Sequence, residues 1–396
     1  MKGKRERPGA YGGILATLIT LVCWSPIFIS DIYPLYYLMF NIGYIPTMII
    51  FFPVLYLSFA AAIIIHESGH LIFGLLGGYS FSSFRIFSMM IVKTEKGIKI
   101  KRLSILGTAG QCLLTPPETK NGKMPTMLYN IGGSLLGLIA ALLFGLLAYT
   151  ARAGVISYML FVTVAVANLS VALTNGIPLT TPMINNDGKN ALILMKNPRA
   201  TGALRIQLLV NAQRCSGVRL VEMPDEWFEM PTDGDLKDSL TVGQAMLCFL
   251  RAFDKGEYEN AKKIALKIFD SKYLLGAQRM SLIINLAFVH IMLGEYSAAR
   301  RLLKKEYLEY SAIYLKDLSA ARTRYAYELL AKDSLKGAKR ERLLVNMIFR
   351  KLQKYPFREE IEEELERIRM VDSIYDEKTE SQVNALKLID TGAKNN

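Results

Sequence analysis

Two histidines and a glutamate form a short motif inside a long apolar stretch of the chain. His66, Glu67 and His70 follow the pattern His-Glu-x-x-His, which on a helix places both imidazoles on one face. Such a pair binds zinc, and the adjacent carboxylate acts as general base toward a water on the metal. Between Asp31 and Arg85, Glu67 is the only formally charged residue, and a carboxylate at membrane depth indicates chemistry. The motif predicts a zinc site within a membrane.

A catalytic zinc ion takes three protein ligands and keeps one position open, so a third ligand is needed. The remaining histidine, His290, lies in a polar, helical part of the chain, which favours a carboxylate instead. Asp187 is the only charged residue between Arg152 and Lys189. The Asn-Gly-Ile-Pro sequence that begins at Asn175 ends an apolar helix and turns the chain back, and this return favours Asp187 as the ligand. The alternative is that Asp187 only caps an Asn-Asp-Gly turn.

Apolar stretches long enough to cross a bilayer predict a polytopic membrane protein with about four spans. The second is longer than one span needs, so either it is tilted or residues 32–52 form a separate element. Lys and Arg are concentrated in residues 1–8 and in the loop 79–125 but are absent from residues 31–44. By the positive-inside rule we expect a multi-pass cell-membrane protein with a retained signal anchor and cytoplasmic N- and C-termini. The predicted spans are residues 12–30, 45–77, 126–150 and 154–177.

The remaining patterns complete a mainly α prediction for the fold. Two β-type runs, at residues 84–92 and 98–101, predict a membrane-associated β-hairpin, either on the membrane surface or dipping toward its interior. Gly256-Glu257-Tyr258 recurs as Gly294-Glu295-Tyr296, which indicates soluble helical repeats of tetratricopeptide-like type. The predicted domains are a transmembrane zinc metalloprotease domain, a juxtamembrane linker, a helical repeat-like cytosolic domain and a flexible tail, at residues 1–190, 191–234, 235–372 and 373–396.

Composition limits the function classes. The 396 residues are 51% hydrophobic and carry 48 Lys and Arg against 35 Asp and Glu, a formal net charge of +13. Basic residues flanking membrane segments explain this excess, and no nucleic-acid-binding motif accompanies it, so we expect no nucleic-acid partner. The four cysteines are widely spaced and indicate reduced thiols rather than disulfides.

The order of these motifs resembles that of the site-2 protease family of intramembrane zinc metalloproteases. His-Glu-Ser-Gly-His at 66–70 is followed by Asn-Gly-Ile-Pro at 175–178 and Asn-Asp-Gly at 186–188, with glycine-rich stretches at 107–110 and 130–133 between them. The resemblance covers about residues 45–190. It implies that His66, His70 and Asp187 bind Zn²⁺, that Glu67 is the catalytic base, and that Asn175 lies near the substrate.

We therefore predict a zinc-dependent intramembrane metalloendopeptidase whose substrates are membrane-embedded proteins or peptides. An exposed edge of the β-hairpin would hold a substrate extended by strand addition. The C-terminal helical domain would bind a protein partner or steady the membrane domain. Alternatives are a catalytically inactive membrane scaffold that uses its helical repeats, and a transporter. For single residues, Asn175 is alternatively a helix-terminating residue, and Gly132 and Gly133 are interpreted as helix-packing residues.

Overall fold

The computed structural model describes residues 9–30, 32–105, 108–118, 124–151, 154–232, 234–305, 317–352 and 355–393. Residues 1–8 and Arg152, which contributed to the predicted orientation, lie outside this part. The described chain is mostly helical with a small antiparallel sheet, and it divides into two compact units. The first unit comprises Met1–Ser216, Met230–Gln244 and Ser271–Ala277, and the second comprises Gly217–Glu229, Ala245–Asp270 and Gln278–Asn396.

Apolar helices form the framework of the first unit. Three of them are long and apolar enough to cross a membrane, and they coincide with the last three predicted spans. The first predicted span is also helical, but its apolar stretch Tyr11–Ser25 is shorter than a span needs. The count of four spans therefore stays a prediction. Gly43 has a φ of 89° and separates residues 32–42 as an element of their own. The helices are α1 (Ala10–Ser30), α2 (Ile32–Ile42), α3 (Tyr44–Leu76), α4 (Thr126–Thr150) and α5 (Val155–Gly176).

A four-stranded antiparallel sheet lies in sequence between α3 and α4, where a hairpin is predicted. The run 84–92 is two strands, because the chain turns at Phe87, whose φ is 51°. Arg85 stabilises this turn by donating a hydrogen bond from Nη1 to the Phe87 carbonyl at 2.6 Å. The strands are β1 (Ser80–Ile86), β2 (Met89–Thr94), β3 (Gly97–Arg102) and β4 (Gly110–Thr115), in the order β3-β2-β1-β4.

After α5 the chain makes a small loop and returns. Thr180 and Asn185 form an antiparallel bridge, and the Asn186 backbone N–H donates to the Leu179 carbonyl at 3.1 Å. Two helices follow, α6 (Asp187–Lys196) and α7 (Pro198–Cys215). Much of the predicted linker 191–234 is therefore helical, and buried side chains from α6 and α7 form part of an apolar cluster.

The described chain beyond residue 238 is mainly helical. Both Gly-Glu-Tyr sequences occupy tight turns between helices, with φ values of 75° at Gly256 and 73° at Gly294. Ala261 and Ala299, three residues after each tyrosine, are fully buried. Residues predicted to be a tail continue the last helix as far as Ala393. The helices are α8 (Ser239–Asp254), α9 (Tyr258–Phe269), α10 (Gly276–Met292), α11 (Tyr296–Lys305), α12 (Leu318–Ala326), α13 (Leu335–Lys351) and α14 (Arg358–Ala393).

Candidate metal centre

The two histidines of the motif lie four residues apart on α3, and the helix brings their rings together. The Nε2 atoms of His66 and His70 are 3.2 Å apart, and both side chains are buried. No charged residue other than Glu67 lies in α3. Two imidazole nitrogens are therefore held side by side within an apolar helix, as the sequence predicts.

Asp187 reaches the same point from the start of α6. Its Oδ2 lies 3.0 Å from Nε2 of His66 and 3.2 Å from Nε2 of His70. Donors around a tetrahedral zinc ion with bonds of 2.0–2.1 Å lie about 3.3 Å apart. The three donor atoms thus fit such an ion in spacing and in chemical type, and together they could hold a metal.

A backbone carbonyl on α4 orients one of the imidazoles. Nδ1 of His70 lies 2.7 Å from the Tyr129 carbonyl, to which a protonated Nδ1 donates, so Nε2 of the neutral ring presents its lone pair to the centre. The Tyr129 hydroxyl in turn donates to the Cys112 carbonyl on β4 at 2.9 Å. Nδ1 of His66 is buried and has no hydrogen-bond partner within the described residues. The sheet and α4 therefore fix His70 more firmly than His66.

Glu67 is directed toward the sheet. It is 8% exposed, and a Cβ placed on Gly110 would lie 2.6 Å from its Cγ and 2.7 Å from its Cδ. Only a residue without a side chain leaves room for Glu67 at this point of β4. The carboxylate is thus held beside the strand while the adjacent imidazole takes part in the ligand set.

A buried arginine supports that strand. Arg85 is 1% exposed, and its guanidinium donates to the carbonyls of Thr108 at 3.5 Å and Gly110 at 3.2 Å. Burial lowers the pKa of Arg85, and the charge of Glu67 partly offsets this effect. The sequence alone shows Arg85 only as one of several basic residues in the loop 79–125, because no sequence pattern distinguishes a buried arginine in a strand.

Asn186 holds the loop that carries Asp187. Its Oδ1 accepts from the backbone N–H groups of Leu179 and Lys189, each at 2.9 Å, and so caps α6. Its Nδ2 donates to the carbonyls of Thr174 at 2.7 Å and Ile177 at 2.6 Å. One side chain therefore ties the end of α5, the loop and the start of α6 together immediately before the acid. The loop of residues 179–185 thus closes on itself, and its two ends lie next to each other.

Two glycines of α4 lie against α3. A Cβ on Gly132 would lie 2.9 Å from Cβ of Phe73, which agrees with helix packing. A Cβ on Gly133, in contrast, would lie 2.5 Å from Nε2 of His70 and 2.7 Å from Nε2 of His66. Gly133 therefore keeps a side chain out of the space between the ligand nitrogens. Its spacing from the histidines in sequence, more than sixty residues, gives no hint of this.

The structure does not join two other residues to the centre. The Asn175 side chain donates from Nδ2 to the Val171 carbonyl of its own helix at 2.9 Å and makes no side-chain hydrogen bond to His66, His70 or Asp187 within the described residues. Its predicted role near the substrate stays a prediction. His290 pairs through Nδ1 with Glu295 at 2.5 Å, at the second Gly-Glu-Tyr turn. His290 thus lies near the end of α10, in the helical part of the chain, as the sequence predicts.

Comparisons with protein-family models, curated proteins and solved structures find no match to this chain.

Proposed function

We propose that the chain is an intramembrane zinc metalloendopeptidase of the site-2 protease type, which hydrolyses peptide bonds of membrane-embedded substrates. The observation that carries the proposal is the convergence of His66, His70 and Asp187 to 3.0–3.2 Å beside Glu67. These residues come from helices more than 110 positions apart in sequence, and α3 has the length and composition of a membrane span. A divalent cation is the simplest common partner for such a donor set.

Each residue of the centre has a role in this proposal. His66, His70 and Asp187 would hold Zn²⁺, which when bound supplies a Lewis acid and a water acidified to a pKa of about 7. Glu67 accepts a proton during attack on the peptide carbonyl and passes it to the leaving amine. Gly133 leaves room for the reacting groups, and Asn186 keeps Asp187 in place. Asn175 is proposed to contact the substrate.

The substrate segment must be extended before its backbone is accessible, because a helix engages its own peptide groups. β3 lies at one end of the strand order, so one of its edges has no strand partner in the described sheet. Ile98 and Ile100 on this strand are 69% and 68% exposed. We propose that a substrate strand adds to this edge. Ile100→Pro removes a backbone N–H that faces this free edge, and it should then lower cleavage of a membrane peptide while leaving the zinc content unchanged.

The deciding experiment uses the purified full-length protein in detergent. Zinc content is measured together with cleavage of a helical membrane-peptide library, for the unmodified chain and for Glu67→Gln. We expect about one zinc ion per chain in both proteins and cleavage only in the first. Glu95→Gln, which changes an exposed glutamate of the sheet, is the matched control and should cleave normally.

Two outcomes would contradict the proposal. Protein that binds no zinc would show that His66, His70 and Asp187 are not zinc ligands. A Glu67→Gln variant that still cleaves would show that Glu67 is not the catalytic base. A zinc-loaded protein without any cleavage would favour the membrane scaffold, whose helical repeats bind a partner protein. In the proposed arrangement the protein is multi-pass in the cell membrane with both termini cytoplasmic, and the helical unit binds a protein partner.

A further inference from the structure

A cavity of about 600 Å³ lies beside the helix that carries Asp187. Its walls are α6, the corner between α6 and α7, and the segment 234–238, all of which belong to the first unit. Hydrogen bonds brace this segment against the helices: Asn197 donates to the Asp238 carboxylate at 2.6 Å, and Arg199 pairs with Asp235. The volume is in the range of small-molecule sites.

The cavity carries an excess of positive charge. Lys189, Lys196 and Lys237 line it, and none of them has an acidic partner among the described residues. The two acids in the lining are already engaged. Asp235 pairs with Arg199, and Asp238 accepts from Asn197 and from the first backbone N–H groups of α8. Four cationic side chains against these two carboxylates leave the lining with a formal net charge of +2.

The wall between these charges is apolar. Lys189, Leu192, Ile193 and Lys196 follow one another at the spacing of a single helix face. Leu192 and Ile193 thus form the middle of the α6 wall, with lysines at both ends, and Pro198 extends the apolar surface. A ligand that complements this wall has an anionic group and an apolar part.

The cavity must also lie close to the membrane. Only ten residues separate Gly176, the end of the last span, from Asp187, the start of α6, and α6 packs against α4 and α5. Basic pockets beside membrane helices are typical sites for anionic lipid head groups. We propose that this cavity binds the phosphate head group of an anionic phospholipid, with Lys196 and Lys237 at the phosphate and Leu192 and Ile193 against the start of the acyl chains.

Free phosphate would share the anionic chemistry but would leave the apolar wall unused, so the observations favour the lipid. The inference does not depend on the proposed proteolytic activity, because its measurement is lipid binding alone. Loss of cleavage in Glu67→Gln and loss of lipid binding in the variants below are separate results.

The test is a calorimetric titration of the full-length protein in neutral detergent. The probes are dioctanoyl phosphatidylglycerol, dioctanoyl phosphatidylcholine and inorganic phosphate. We expect saturable binding of phosphatidylglycerol at least tenfold tighter than that of the other two, weakening as salt is added. Lys196→Gln/Lys237→Gln should weaken it at least tenfold, because two cationic contacts are removed. The matched control, Lys96→Gln/Lys99→Gln, changes two exposed lysines of the sheet and should alter affinity less than twofold.

Leu192→Gln tests the apolar wall and should weaken phosphatidylglycerol binding while leaving phosphate binding unchanged. Melting temperatures establish that the variants are folded, which we expect because Lys196 and Lys237 are exposed. Equal weakening in the control pair would show general surface attraction and overturn the proposal. Phosphate binding as tightly as the lipid, or equal binding of phosphatidylcholine, would overturn it as well, and so would the absence of saturable binding.

Discussion

Asn186→Ala should uncouple Asp187 from the centre while leaving all three ligands in the chain. The substitution removes four hydrogen bonds, two accepted by Oδ1 and two donated by Nδ2. Loss of an N-cap costs about 1 kcal/mol. Carbonyls left without a donor in a buried place cost about 1–3 kcal/mol each, and Asn186 is 8% exposed. Water that enters the gap recovers part of this cost, so a local loss of about 2–3 kcal/mol is expected.

This loss should appear mainly as weaker zinc binding, because the affected loop places one of the three ligands. A local change of 2–3 kcal/mol corresponds to roughly a 30- to 150-fold change in an equilibrium constant, consistent with the 10- to 100-fold effects of outer-shell residues on metal affinity. The measurement is zinc competition with a chromophoric chelator, together with the melting temperature of the same sample. Asn186→Ser keeps a capping oxygen but not the amide donors, and should give an intermediate affinity.

Asn185→Ala is the matched control for this prediction. Asn185 lies in the same loop, but its side chain donates to Ser239 Oγ at 2.7 Å and not to the end of α5. We expect its zinc affinity to stay within about threefold of the unmodified protein. Equal losses in both variants would mean that loop integrity in general, and not the Asn186 contacts, positions the acid. An unchanged affinity in Asn186→Ala would refute the reasoning directly.

Three further predictions concern other parts of the chain. Gly133→Ala should abolish zinc binding in a folded protein, because the added methyl group would occupy the space between the ligand nitrogens. Gly145→Ala on the same helix is the control: its methyl group would meet no atom within 4 Å, and the variant should bind zinc normally. Arg322→Ala removes a fully buried cation that stacks on Phe288 and pairs with Glu364. The free energy of unfolding should decrease by about 3 kcal/mol, which corresponds to a melting temperature lower by about 10 °C. A decrease of less than about 2 °C would contradict this. Burial, and secondarily the charge of Asp254, raises the pKa of Glu363 to about 7. The folded state therefore holds this proton to higher pH than the unfolded chain does, so the melting temperature should decrease as the pH rises from about 5 to about 8. Glu363→Gln should make this decrease smaller.

The long apolar helices and the three candidate ligands could be predicted from the sequence because each leaves a local signal. Long apolar stretches gave α3, α4 and α5 with ends within a residue or so of the structure. The His-Glu-x-x-His spacing and the isolated charge of Asp187 identified three donors that the structure brings together. In an apolar background a single charged residue is conspicuous, so these assignments needed no tertiary information.

The sheet and the supporting residues were not accessible in the same way. β1 and β2 form one uninterrupted run in sequence because the turn between them is made by Phe87, in a left-handed conformation that pattern rules assign to glycine. The space kept by Gly110 and Gly133 depends on contacts with α3 that no local pattern records. Asn186 reads as an ordinary turn residue until its four hydrogen bonds are seen.

The position of the ligand pair along α3 has a consequence for its depth in a bilayer. Six residues separate His70 from the end of the helix at Leu76, about 9 Å at a rise of 1.5 Å per residue, whereas twenty-two residues, about 33 Å, separate its start at Tyr44 from His66. The whole helix is longer than the roughly 30 Å of a hydrocarbon core. In the proposed membrane arrangement, with α3 as a span that ends near Leu76, the histidines lie shallow, toward the end that leads into the sheet. The proposed hydrolysis would then need only a short path for water from that side, and a scissile bond would need to descend less than half of the bilayer to meet the histidines.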